Sequence, residues 1–210
     1  MVVAAGVISG PAYADETPQP IPPEQYSESV AVEPLDATLL IDGKPTNIAV
    51  MPEFDPQAPA LVFDGNGDAM PVSSIEVVYG DGTRADVSRV NTMDKAAVAS
   101  CTRGWVAPGT GAWNYSVYGC SHIGFDGTAR VGYGWTVDGN SLGSACLQGR
   151  GYQWYSYPGG GHYNALYVSI GCGGSGSSGG TSVPWGEVAS TKRIKMLATS
   201  SPIGAAGTFA

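Results

Sequence analysis

Arg130-Val131-Gly132-Tyr133-Gly134-Trp135-Thr136-Val137 alternates strictly between large apolar residues and glycine or threonine. A period of two is the mark of a β-strand, whose successive side chains point to opposite faces. Val131, Tyr133, Trp135 and Val137 fall on one face, with Gly132, Gly134 and Thr136 on the other. Such a strand packs one side on a core and leaves its glycine side open to a second backbone or a ligand. Moving outward, Asn164 to Ile170 repeats the pattern, with Leu166, Val168 and Ile170 facing one way and Ala165, Tyr167 and Ser169 the other. Trp113 to Tyr118 and Gly151 to Tyr157 are aromatic-rich and read as further strands. These runs predict an all-β fold, a small disulfide-stabilised barrel or sandwich with glycine-rich loops over residues 94–210.

The same region holds all four cysteines, Cys101, Cys120, Cys146 and Cys172, with no C-x-x-C pair and no histidine at metal-ligand spacing. An even count beside an export signal predicts two disulfides. Four cysteines allow three pairings. Cys101–Cys120 with Cys146–Cys172 is favoured because each closes a hairpin-sized loop, contributing roughly 3 kcal/mol.

Composition divides the chain of 210 residues in two. Residues 1–100 carry seven of the 31 glycines, fifteen acidic and four basic side chains; residues 101–210 carry three acidic and six basic ones. An acidic front half before a mildly basic, Gly- and Trp-rich back half suggests two modules, or a front piece that shields the back piece electrostatically. Residues 1–14 read as a signal-peptide remnant: the apolar run Val2 to Ile8 is followed by Ala12-Tyr13-Ala14, an A-x-A cleavage site, which places the mature start at Asp15. Residues 15–35, with Pro18, Pro20, Pro22 and Pro23 among Glu and Gln, read as a disordered acidic leader. Residues 36–93 form a small acidic β unit, a candidate pro-region. Its hairpin signals are Asp42-Gly43, between Thr38 to Ile41 and Asn47 to Met51, and Asp81-Gly82, between Ile75 to Tyr79 and Thr83 to Val87. Asp94 to Ser100 reads as a connector with a helical turn. Gly171 to Thr181 reads as a flexible loop, Lys192 to Met196 as a closing segment with solvent-facing basic residues, and Ala198 to Ala210 as a final strand or a frayed tail. No apolar run is long enough for a membrane span.

Three motifs resemble sites of chemistry. Gly139-Asn140-Ser141-Leu142-Gly143 fits G-x-S-x-G after a strand, but no helix pattern follows and no Asp lies downstream, so a hairpin turn at Asp138-Gly139 is the expectation. His122-Ile123-Gly124-Phe125-Asp126 is an H-x-x-x-D that resembles the first zinc motif of the lysostaphin-type peptidoglycan metallopeptidases. That family also needs an H-x-H; here His162-Tyr163-Asn164 has asparagine in the second place, and two histidines cannot complete the set. Asp64, Asn66 and Asp68 match positions 1, 3 and 5 of a calcium loop, although position 6 is Ala69 and position 12 is Ile75; an Asn-Gly turn explains the same residues. No metal or other cofactor is expected.

The positive functional signal is aromatic. Trp154, Tyr155 and Tyr157, ahead of Pro158-Gly159-Gly160-Gly161, and Tyr133 and Trp135 beside glycines, offer flat surfaces for sugar rings or for a protein partner. The expectation is a secreted, non-catalytic binding or antagonist protein of bacterial origin. It would act at the cell surface on envelope glycan or an extracellular protein. One alternative is a small secreted hydrolase using His122 and His162 with Ser141 or Asp126; another is a structural surface protein. Six basic residues in the back half are too few for nucleic acid.

Overall fold

The computed structural model describes residues 26–89, 101–200 and 202–210. The proposed signal remnant, most of the leader and the connector at 94–100 lie outside these residues. The fold is all-β, with no helix among the described residues and a curled half-barrel sheet. The strands are β1 (Tyr26–Val32), β2 (Ala37–Ile41), β3 (Lys44–Pro45), β4 (Ala49–Val50), β5 (Ala60–Phe63), β6 (Ile75–Tyr79), β7 (Arg84–Asp86), β8 (Arg103–Ala107) and β9 (Asn114–Tyr115). They continue with β10 (Ser121–Gly124), β11 (Arg130–Val137), β12 (Ala145–Tyr157), β13 (Gly160–Gly173), β14 (Ser178–Pro184), β15 (Val188–Thr191), β16 (Ile194–Ala198) and β17 (Ala205–Phe209).

Both Asp-Gly signals make hairpins. Asp42 and Gly43 both take positive φ, the geometry of a two-residue turn matched to strand twist, and join β2 to β3. Gly82 does the same between β6 and β7. The resulting sheet, in order β3-β2-β6-β7, turns Leu39, Ile41, Ile75 and Val77 inward. Val50 does not continue the first hairpin; β4 leaves to pair in parallel with β15.

The compositional boundary near residue 94 runs through a sheet. In the order β4-β15-β10-β5, two strands of the acidic front half flank two of the back half, β5 lying parallel to β10. Ile123 and Ala189 are buried in one apolar cluster with Leu39, Val50, Phe54 and Val62, while Met51 reaches into the main core around Trp105, Tyr133 and Trp185.

That main core lies between the sheet β14-β11-β17-β8 and the five-stranded sheet β1-β13-β12-β16-β9. β11 buries Val131, Tyr133, Trp135 and Val137 and exposes Gly132, Gly134 and Thr136, as its alternation dictates. Cys101–Cys120 and Cys146–Cys172 are both bonded, the expected pairing, and suit an oxidising extracellular environment.

Three expectations are corrected, and one open alternative is decided. Tyr26–Val32, read as disordered leader, is strand β1, paired antiparallel to β13; an open edge of β13 supplies the backbone partners that its polar composition could not predict. Ser178 to Thr181, read as flexible loop, lies in β14 paired with β11, because glycine permits the close approach of Trp135 and of the Tyr133 backbone. Of the two readings of the final segment, strand or frayed tail, the strand holds: β17 lies between β11 and β8. Lys192 and Lys195, read as solvent-facing, are each 6% exposed, because tyrosine rings from neighbouring strands cover them. No helix is long and apolar enough among the described residues to cross a membrane, which says nothing of strands.

Candidate functional site

β12 and β13 form one long hairpin, turning at Pro158-Gly159, where Gly159 takes φ 99°. Its base is core: Leu147, Tyr152, Leu166 and Val168 are buried. Its outer half, residues 154–157 with 160–161, is more exposed. Trp154, Tyr155 and Tyr157 are 52%, 37% and 55% exposed. Alternation splits them between the two faces of the ribbon.

On one face Trp154 stands opposite Tyr163, ring centroids 4.8 Å apart at 64°. The indole lies over Gly161, where any Cβ would collide with it. The Tyr163 hydroxyl donates to the Glu187 carbonyl at 3.4 Å, and burial, then the Glu187 charge, raises its pKa. On the other face His162 sits opposite Tyr155, stacked at 6.0 Å and 17°, with Tyr157 at 5.9 Å. Each face therefore presents aromatic rings held by a cross-strand neighbour, which reduces the entropy lost when a ligand stacks on them. β1 widens the ribbon beside β13, where Val32 pairs with Tyr163 and Asn164 donates to Ser29 Oγ.

Tyr133 and Trp135, expected among the ligand-contacting aromatics, are core residues. The Tyr133 hydroxyl donates to the Arg150 carbonyl at 2.8 Å and Trp135 Nε1 to the Ile170 carbonyl at 2.7 Å. Buried tyrosine and tryptophan need such partners for their polar ends, and the bond fixes each ring inward. The glycines opposite them, Gly132 and Gly134, face open space.

The four candidate catalytic residues are not brought together. His122 is buried in β10, stacked on Phe63 at 5.1 Å and edge-on to Trp185, with Nδ1 against the Cys120 carbonyl. Burial, reinforced by the Lys192 charge, holds its imidazole well below the usual value, so it is neutral. Asp126 accepts from the backbone N–H and hydroxyl of Thr128, capping its own turn. Ser141 accepts from Ala206 N–H and contacts the Gly143 carbonyl, in a turn where Asp138 accepts from Asn140 N–H. His162 lies near the hairpin tip, in a different sheet from His122. In the calcium-like loop, Asp64 Oδ1 accepts from the N–H groups of Asn66 and Asp68, and Gly67 takes positive φ. This is an Asx-type turn with one carboxylate oxygen already engaged. Among the described residues no group of three or more His, Cys, Asp or Glu is placed to hold a metal.

A second constellation was not legible in the sequence: Arg150, Arg193 and Lys195 interleaved with Tyr115, Tyr118 and Tyr167. Its available signal was the spacing Tyr115–Tyr118 against Lys192–Lys195, which carries meaning only once β9 and β16 pair.

Compared with protein-family models, with curated proteins and with solved structures, the chain matches none.

Proposed function

We propose that this chain is a secreted, non-catalytic binding protein that uses the aromatic ribbon of β12 and β13 to engage cell-envelope glycan or an extracellular protein. The observation that carries the reading is the exposure of Trp154, Tyr155 and Tyr157 on a two-stranded ribbon whose base is anchored in the core. Solvent-exposed aromatic rings held by cross-strand neighbours, here on both faces of the ribbon, stack on the apolar faces of sugar rings or fill pockets of a protein partner. Disulfides and an apolar N-terminal run ending in A-x-A support export. The hydrolase alternative gains nothing from the geometry, since the Ser141 hydroxyl is engaged by the Gly143 carbonyl and the Ala206 N–H.

Co-sedimentation of the full chain with insoluble peptidoglycan, compared with the Trp154→Ala/Tyr157→Ala double variant, tests the reading. The expected result is saturable binding that the variant weakens at least about tenfold, the loss of roughly 1–2 kcal/mol at a stacking hot spot. Undiminished binding by a folded variant would overturn the aromatic mechanism. Binding to secreted proteins but not to glycan would select the protein partner.

A further inference from the structure

The face of the five-stranded sheet that bears Arg150 and Tyr167, which stand opposite each other on β12 and β13, also carries Lys195, opposite both Gln148 and Tyr115. Cations and tyrosine rings alternate there. Lys195 Nζ lies 4.7 Å from the Tyr167 centroid and 5.3 Å from that of Tyr115; Arg193 Cζ lies 4.6 Å from Tyr115 and 4.8 Å from Tyr118; Arg150 Cζ lies 5.5 Å from Tyr118. Lys192 lies apart from them, with Nζ 4.9 Å over the ring of Tyr133 in the core. Three of the six basic side chains of residues 101–210 thus converge, although scattered like charges would repel less.

Burial makes the arrangement costly. Arg150 is 3% exposed, and a buried guanidinium needs its N–H groups satisfied. Nη1 is: it meets Glu53 Oε1 at 2.9 Å and the Tyr152 hydroxyl at 3.4 Å. Nε and Nη2 have no acceptor among the described residues. These two atoms lie along one edge of the planar guanidinium with parallel N–H bonds, the fork that takes two oxygens of a single oxyanion. Glu53 meets only the Nη1 end of the guanidinium.

We propose that this cluster is a binding site for a phosphate-class oxyanion, gripped side-on by Arg150 Nε and Nη2 with Arg193 and Lys195 beside it. The hydroxyls of Tyr118 and Tyr167 add donors suited to a tetrahedral group rather than to a planar carboxylate. Tyr115 and Tyr118 are half-exposed and form the rim, Tyr118 on the segment between β9 and β10. The site is separate from the aromatic ribbon, and it stands or falls independently of that reading.

Calorimetric titration of the full chain with inorganic phosphate and with glycerol phosphate, at matched ionic strength in chloride, reads the site directly. The expected result is saturable phosphate binding with a matching rise in Tm that chloride does not produce. Arg150→Lys keeps the charge and removes the fork. Arg193→Gln, at the half-buried rim, serves if Arg150→Lys does not fold. Each is expected to weaken phosphate binding at least about tenfold, as loss of a charge-assisted bidentate contact does. Binding of glycerol phosphate alone identifies an esterified phosphate, and comparable binding of both identifies the free ion. Acetate binding as tightly as phosphate, an equal effect of chloride, or wild-type affinity in a folded variant overturns the proposal.

Discussion

Gly171, Gly173 and Gly179 lie against the indole of Trp135, where an added Cβ would come within 2.8, 3.0 and 2.8 Å of its ring or of Ser177 beside it for Gly173. Trp135 is itself pinned by its bond to the Ile170 carbonyl, so the ring cannot step aside. Gly179→Ala is therefore expected to destabilise the fold by about 1–3 kcal/mol through overpacking, read as a lower midpoint in urea with an unchanged m-value. An unchanged midpoint would mean that the indole moves freely. His122 gives a residue-scale test in pH. Its native imidazole is held well below the unfolded value of about 6.5, so below that pH the unfolded chain binds the extra proton and stability falls as pH falls. Lys192 acts in a second window. With a native value near 7 and an unfolded value of about 10.4, it makes stability rise with pH between them. Unfolding free energies from pH 5 to 10 should show both slopes; His122→Phe should flatten the acid limb and Lys192→Met the alkaline one.

At the scale of elements, the β12–β13 hairpin carries both the core wall and the exposed ribbon, and Cys146–Cys172 ties its base as a directly opposed pair. Replacing both cysteines by alanine is expected to cost about 2–4 kcal/mol, measured by chemical unfolding under oxidising conditions, because the closed loop no longer restricts the unfolded chain. Restoration of wild-type stability by the variant would refute the role. The two strands were legible from Leu166, Val168 and Ile170 and from the aromatic run at 151–157, but their full length was not. Gly149 and Gly151 interrupt the alternation, and each sits in the strand because a side chain there would strike Tyr133 or the Pro184 carbonyl. β1 escaped detection for the opposite reason. It contributes little apolar surface, and its place is set by hydrogen bonds along β13.

Across the whole molecule, the acidic and the basic halves share a sheet and an ion pair. Glu53 from the front half meets Arg150 from the back, and β4 and β5 cover the edges of β15 and β10. Residues 101–210 expressed alone would expose Ile123 and Ala189 and leave Arg150 without its carboxylate. The expected outcome is loss of cooperative unfolding and binding of a hydrophobic dye, whereas mixing with residues 26–89 restores the cooperative transition. A stable, cooperatively folding back half would instead favour a removable pro-region.

What the sequence by itself determined is local: the period-two runs, the two Asp-Gly turns, the even set of cysteines and the aromatic content of residues 151–157. These follow from rules that act within a few residues, side-chain alternation and positive-φ turn chemistry above all. Only the tertiary structure decided which aromatics face water, since Trp135 and Trp154 lie on equally good strands and differ in what packs over them. It also decided that Lys192, Lys195 and Arg150 turn inward, and that β4 and β5 join strands some sixty or more residues further along the chain. Burial and strand partnership are set by contacts between distant segments, and no window of the chain contains both sides of such a contact.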